Sequence, residues 1–176
     1  MNTFQNFTFK DRFDKYYLYT EFDVILNEAF YEKLLQFVKS TGHQNLVIEI
    51  ADSEKPLPFK KEYELRSPTI NSLESFYDIT GEFEGNNIPI HYIDHFIRDD
   101  GHDWEIYVSG KNELAIFGCN DNVGTIFKNV FAPYEDESLA VKFRVIGGMF
   151  KEGPAKTKFL DDLDKNFNFS KTAKLI

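Results

Sequence analysis

An α+β domain is what the sequence predicts: a single globular unit over residues 1–176, with a mixed or mainly antiparallel sheet and helices packed on one side. Three observations lead there. The chain has 176 residues, a length that suits one domain, and no Gly/Ser/Pro linker or repeat divides it. Strand-like and helix-like segments do not alternate strictly, which argues against a doubly wound parallel sheet. Two apolar runs, Trp104–Val108 and Glu113–Phe117, flank the turn residues Ser109–Asn112 and read as a β-hairpin.

The remaining elements follow in chain order. Phe7–Phe9 reads as a short edge strand, and Tyr16–Ile25, rich in aromatic and β-branched residues, as a longer one. Asn27 suits a helix N-cap. Phe30, Leu34, Phe37 and Val38 then recur at helical spacing up to a Gly42 stop. Leu46–Ile50 is a strand. Pro56 and Pro58 place a loop over 52–61, and Ser67-Pro68 resembles an N-cap with proline at the first helical position, ahead of a short helix carrying Ile70, Leu73, Phe76 and Tyr77. Tyr92, Ile93, Phe96 and Ile97 give a further helix face, ended by Asp99-Asp100-Gly101. Val123, Ile126, Phe127 and Val130 mark a helix stopped by Pro133. Leu139–Ile146 reads as a strand with Lys142 and Arg144 outward. A last helix begins near Pro154 and turns Phe159, Leu160, Leu163 and Phe167 inward, before a tail over 171–176 that frays.

Composition narrows the function. The net charge is −9, and only four arginines occur, so nucleic-acid phosphates and anionic membranes are disfavoured while a basic protein or a cation is favoured. The 19 Phe, 9 Tyr and 1 Trp are read chiefly as core filling. Cys119 is the one cysteine; it lies in an apolar run, forms no internal disulfide and offers no zinc-knuckle spacing. With neither a signal-peptide pattern nor a membrane-length apolar run, a cytoplasmic protein is expected.

Three of the four histidines, His91, His95 and His102, fall in one acidic stretch. On a helix His91 and His95 would share a face and could hold one zinc between them, with His102 closing the set. The zinc-protease pattern H-E-x-x-H fails, because Tyr92 stands where the general-base Glu belongs and the third ligand is out of register. No nucleophile elbow, phosphate loop or calcium loop appears. The chain is therefore read as non-enzymatic and cofactor-free. A zinc-dependent hydrolase or metal-binding protein using His91, His95 and His102 is the alternative, and an uncharacterised structural or regulatory domain is a third.

The same stretch is also an acidic surface. Between Asp94 and Glu105 stand five carboxylates against one arginine, and Glu135-Asp136-Glu137 adds a second run. Gathered on one face, Asp94, Asp99, Asp100, Asp103, Glu135 and Asp136, with Trp104 as an aromatic anchor, would suit steered binding to a basic partner. Asp103-Trp104-Glu105-Ile106-Tyr107 followed by Leu114-Ala115-Ile116-Phe117-Gly118, in a small acidic chain, resembles the immunity proteins of bacterial polymorphic-toxin systems. The resemblance covers about residues 88 to 131. It implies a protein that binds and blocks a toxin domain, often a basic nuclease, and it transfers no individual functional residue.

Overall fold

The computed structural model describes residues 13–19, 28–43, 45–50, 64–68, 94–109, 114–131, 139–148 and 151–169. They form strands β1 (Lys15–Tyr19), β2 (Asn45–Ile50), β3 (Glu64–Pro68), β4 (His95–Asp99), β5 (Trp104–Ser109) and β6 (Leu114–Cys119). The helices are α1 (Glu28–Thr41), α2 (Asp121–Phe131), α3 (Leu139–Gly148) and α4 (Pro154–Phe167). The strands make one sheet in the order β1-β6-β5-β4-β2-β3 with every pairing antiparallel. The α+β class and the antiparallel sheet stand as expected.

Alternation along the central strands sets the layers, since successive side chains leave a strand on opposite faces. Trp104, Ile106 and Val108 of β5 join Ala115, Phe117 and Cys119 of β6 in one cluster with Phe30, Leu34, Phe37 and Val38 of α1 and Phe127, Val130 and Phe131 of α2. Tyr107, Leu114, Ile116 and Leu18 point the other way, into a second cluster with Ile146 of α3 and Leu163 and Phe167 of α4. Helices therefore cover both faces, correcting the expected one-sided packing. The cause is visible in β6, which is buried at all six positions and needs cover above and below.

Aromatic rings fill the α1–α2 side. Phe117 stacks on Trp104 at 5.7 Å and 4° and on Phe127 at 4.0 Å and 26°. Phe37 meets Trp104 edge-on at 5.2 Å and 75°. Offset and edge-on pairs of this kind add to what area burial alone supplies.

Three elements differ from the sequence expectation. Leu139–Gly148 is a helix. Its inward row is Lys142 and Ile146, four apart, and the Lys142 ammonium lies 5.5 Å from the Tyr19 ring centre instead of facing water. His95–Asp99 is a strand, because an apolar pattern at i, i+1, i+4, i+5 also fits a strand buried on both faces. Ser67 and Pro68 are strand residues that close β3, paired to Leu46 and Asn45. The expected strand over Tyr16–Ile25 runs only to Tyr19 within the described residues, whereas Phe7–Phe9, Asn27, Ile70–Tyr77, Pro133 and the tail lie outside them. The helix ends behave as read: Gly42 takes φ 82, as a left-handed stop should. At the α4 start Gly153 holds φ 146, and its carbonyl accepts from Lys156 and Thr157.

A sheet covered on both sides has a measurable signature. Phe117→Ala, on the α1–α2 face, should lower unfolding free energy by about 3–5 kcal/mol, and Leu163→Ala, on the α3–α4 face, by about 2–5 kcal/mol. Urea unfolding of each variant checks this, and a loss confined to Phe117→Ala would contradict the two-faced core.

Candidate functional site

Antiparallel register brings the start of β1, the end of β6, the start of β5 and the end of β4 to one edge of the sheet. Lys15 stands opposite Cys119, Cys119 opposite Trp104, and Arg98 opposite Glu105. The β4–β5 turn, residues 100–103, projects from that edge. Its geometry depends on Asp99, which is fully buried. One Asp99 oxygen accepts from the Trp104 indole N–H and, at 3.2 Å, from the Thr41 hydroxyl at the end of α1. The other accepts the Gly101 amide at 2.9 Å. These donors offset the high cost of removing a carboxylate from water.

His43, just past α1, closes over the same turn. Its Nδ1 lies 3.1 Å from the Asp100 carboxylate, and its ring covers Gly101 so closely that a Cβ there would stand 2.2 Å from Nε2. His102 follows with φ 59, a left-handed conformation in which histidine is enriched among non-glycine residues. Asp103 is fixed to the segment after β6: its backbone carbonyl accepts the Asn120 amide at 2.9 Å and its carboxylate accepts the Asn120 side chain at 3.2 Å. Beyond it the Asp14 carboxylate accepts the Asp121 backbone N–H at 3.0 Å, and Lys15 pairs with the Asp121 carboxylate.

The edge thus presents four carboxylates, Asp14, Asp100, Asp103 and Asp121, of which Asp103 alone is partly buried. Below it, the buried Arg98 and Glu105 face each other across β4 and β5 at 4.0 Å, and an Arg98 nitrogen reaches His102 Nε2 at 3.4 Å. Such a pair must recover its desolvation cost through geometry and further bonds.

The expected residues divide. Asp100 and Asp103 lie on the exposed edge. Asp99 and Trp104 are at the same end but wholly buried and bonded to one another, so they build the turn and present no surface to a partner. Asp94 is at the opposite end of β4, where its carboxylate accepts from Tyr107 at 2.9 Å and Ser109 at 3.1 Å. Glu135, Asp136 and His91 lie outside the described residues. His95 and His102 do not converge. His95 is buried at the start of β4 and His102 is exposed beyond its end, about 13 Å or more away at the rise of an extended strand. Once β4 is a strand, the helical spacing that joined the histidines around a zinc is gone. Among the described residues no group of three His, Cys, Asp or Glu side chains is placed to hold a metal. No described helix is long and apolar enough to cross a membrane.

No protein-family model, curated protein or solved structure matches this chain.

Sequence reasoning missed Thr41, His43, Asp14, Asn120 and Asp121. Asp121 carried a readable local signal, an acid in the first turn of α2. The others reach the edge through pairings between distant segments.

Several groups near this sheet carry displaced proton affinities. Burial pushes the Cys119 thiol up to about 12, against a smaller downward pull from Lys15. Burial, and then the Asp94 charge, raises the Tyr107 phenol well above its ordinary value. The hydrogen bond to Asp121 raises Lys15. The signs agree. The fold holds Cys119 and Tyr107 neutral while the unfolded chain gives up their protons sooner, and the Lys15 contribution is lost as that amine deprotonates. Stability should therefore fall as pH rises from 9.0 toward about 12, the Cys119 window. Urea midpoints across that range check the fall, and Cys119→Ala should make it shallower while Tyr107 and Lys15 keep part of it.

Asp99→Ala should cost about 3 kcal/mol, since it strands a buried indole N–H and frees the turn. Gly101→Ala should instead displace the His43 ring, which chemical shifts of His43 would report.

Proposed function

We propose that this chain is an inhibitory protein-binding domain of immunity type, acting in the cytoplasm, which neutralises a basic toxin domain by covering it with the acidic edge of the sheet. The observation that carries this reading is the gathering of Asp14, Asp100, Asp103 and Asp121 from three distant segments onto one edge, in a chain of net charge −9. Lys15 offsets part of this charge through its pair with Asp121, and the His43 ring sits against Asp100.

The edge suits recognition physically. The turn is held by Asp99, Thr41 and His43, so its exposed carboxylates need little ordering when a partner arrives. A concentrated negative edge raises the encounter rate with a cationic surface, and salt weakens that advantage. The metal-dependent reading loses its support with the separation of His95 from His102.

Co-production with a toxin-like reading frame, should one lie beside this gene, tests the reading. The wild type should protect the host cell. Asp100→Lys combined with Asp103→Lys should slow association about tenfold or more at low ionic strength, with a smaller effect at high salt. Unchanged association for the double variant would remove the acidic edge from the contact.

A further inference from the structure

His43 joins α1 to the β4–β5 turn through a contact that a proton can change. It follows the end of α1 by two residues, and its Nδ1 lies 3.1 Å from the Asp100 carboxylate. An ionised carboxylate only accepts hydrogen bonds, so the ring nitrogen facing it carries a hydrogen. A further proton then adds to Nε2. That atom lies over Gly101, 2.2 Å from where a Cβ would stand, so the absence of a side chain at Gly101 makes the seat for the ring.

The charged groups around His43 come from both elements. From the turn Asp100 faces it directly, and Asp99 lies behind Gly101, whose amide it accepts. From α1 come the negative end of the helix dipole and, in the last turn, Lys39. Further along the turn is His102, whose Nε2 lies 3.4 Å from an Arg98 nitrogen; Arg98 in turn faces Glu105 at 4.0 Å. The turn therefore holds two histidines with opposite neighbours. A proton added to His43 strengthens a contact with a carboxylate. A proton added to His102 Nε2 meets a guanidinium.

We propose that His43 is a proton-operated clasp that positions the turn and sets the charge it displays. Histidine side chains change charge between about pH 5 and 8. When charged, the ring holds Asp100 through a charge-assisted hydrogen bond and cancels the charge of that carboxylate. When neutral, it holds the turn less firmly and leaves the Asp100 charge fully displayed. The clasp is thus tightest in acid and loosens as pH rises through the histidine range, while carboxylates, which titrate ordinarily near about 4, stay ionised. The regulatory consequence rests on the acidic-edge reading above: a cationic partner meets a more negative edge above neutrality than in mild acid.

Hydrogen exchange of the Gly101 amide in the full chain, without any partner, tests the clasp. This amide donates to Asp99 at 2.9 Å only while the turn is closed, so its protection reports turn opening. Corrected for intrinsic exchange, protection should be about threefold or more higher near about pH 5.5 than near about pH 8. His43→Gln, which keeps a neutral donor, should abolish the difference, and so should Asp100→Asn. His102→Asn should preserve it, since asparagine accepts the left-handed backbone there. Equal protection at the two pH values in the wild type overturns the proposal. So does a difference that survives His43→Gln or disappears with His102→Asn. The charge reversals at Asp100 and Asp103 decide separately whether the edge contacts a partner, so the clasp and the acidic-edge reading can fail independently.

Discussion

The buried carboxylate of Asp99 ties together parts of the molecule that the chain keeps far apart. Its oxygens take the indole N–H of Trp104, the amide of Gly101 and the hydroxyl of Thr41. A carboxyl group fully removed from water is tolerated only where hydrogen-bond partners surround it. That requirement fixes the end of β4, the path of the turn, the orientation of the Trp104 ring and the end of α1 together. With Trp104 held, Phe117 stacks on it and Phe127 on Phe117, so a polar hub at the sheet's edge sets the alignment of rings in the core.

The same hub explains why the two ends of β4 differ in character. At the turn the carboxylate orders backbone and helix, leaving Asp100 and Asp103 outside it. At the other end the Asp94 carboxylate accepts from Tyr107 and Ser109, members of the neighbouring strand. Acidic residues close in sequence thus serve separate purposes, and a surface drawn from sequence proximity combined groups that the strand separates.

What could be read from sequence was local. The α1 stripe, its Gly42 stop, the β5–β6 hairpin and the α4 start at Pro154 all rest on periodicity or turn chemistry within a few residues, and all are found. The misread elements share a cause. Both are short: His95–Asp99 is buried on both faces of the sheet and Leu139–Gly148 mainly along the row of Lys142 and Ile146, and over so few residues helix and strand periods fit the same apolar pattern. The candidate edge was half legible: Asp100 and Asp103 stand in one turn, whereas Asp14, His43 and Asp121 arrive through long-range contacts that leave no local mark. Trp104 was legible as an aromatic in a strand but not as the partner of Asp99, because that bond exists only once the turn closes.

β6 has a consequence for how this protein can change over generations. It lies between β1 and β5, and all six of its side-chain positions are buried. An edge strand or a half-solvated one keeps alternate positions open to drift; β6 keeps none. Neutral variation in this chain is therefore displaced from the middle of the sheet to its margins and helix exteriors.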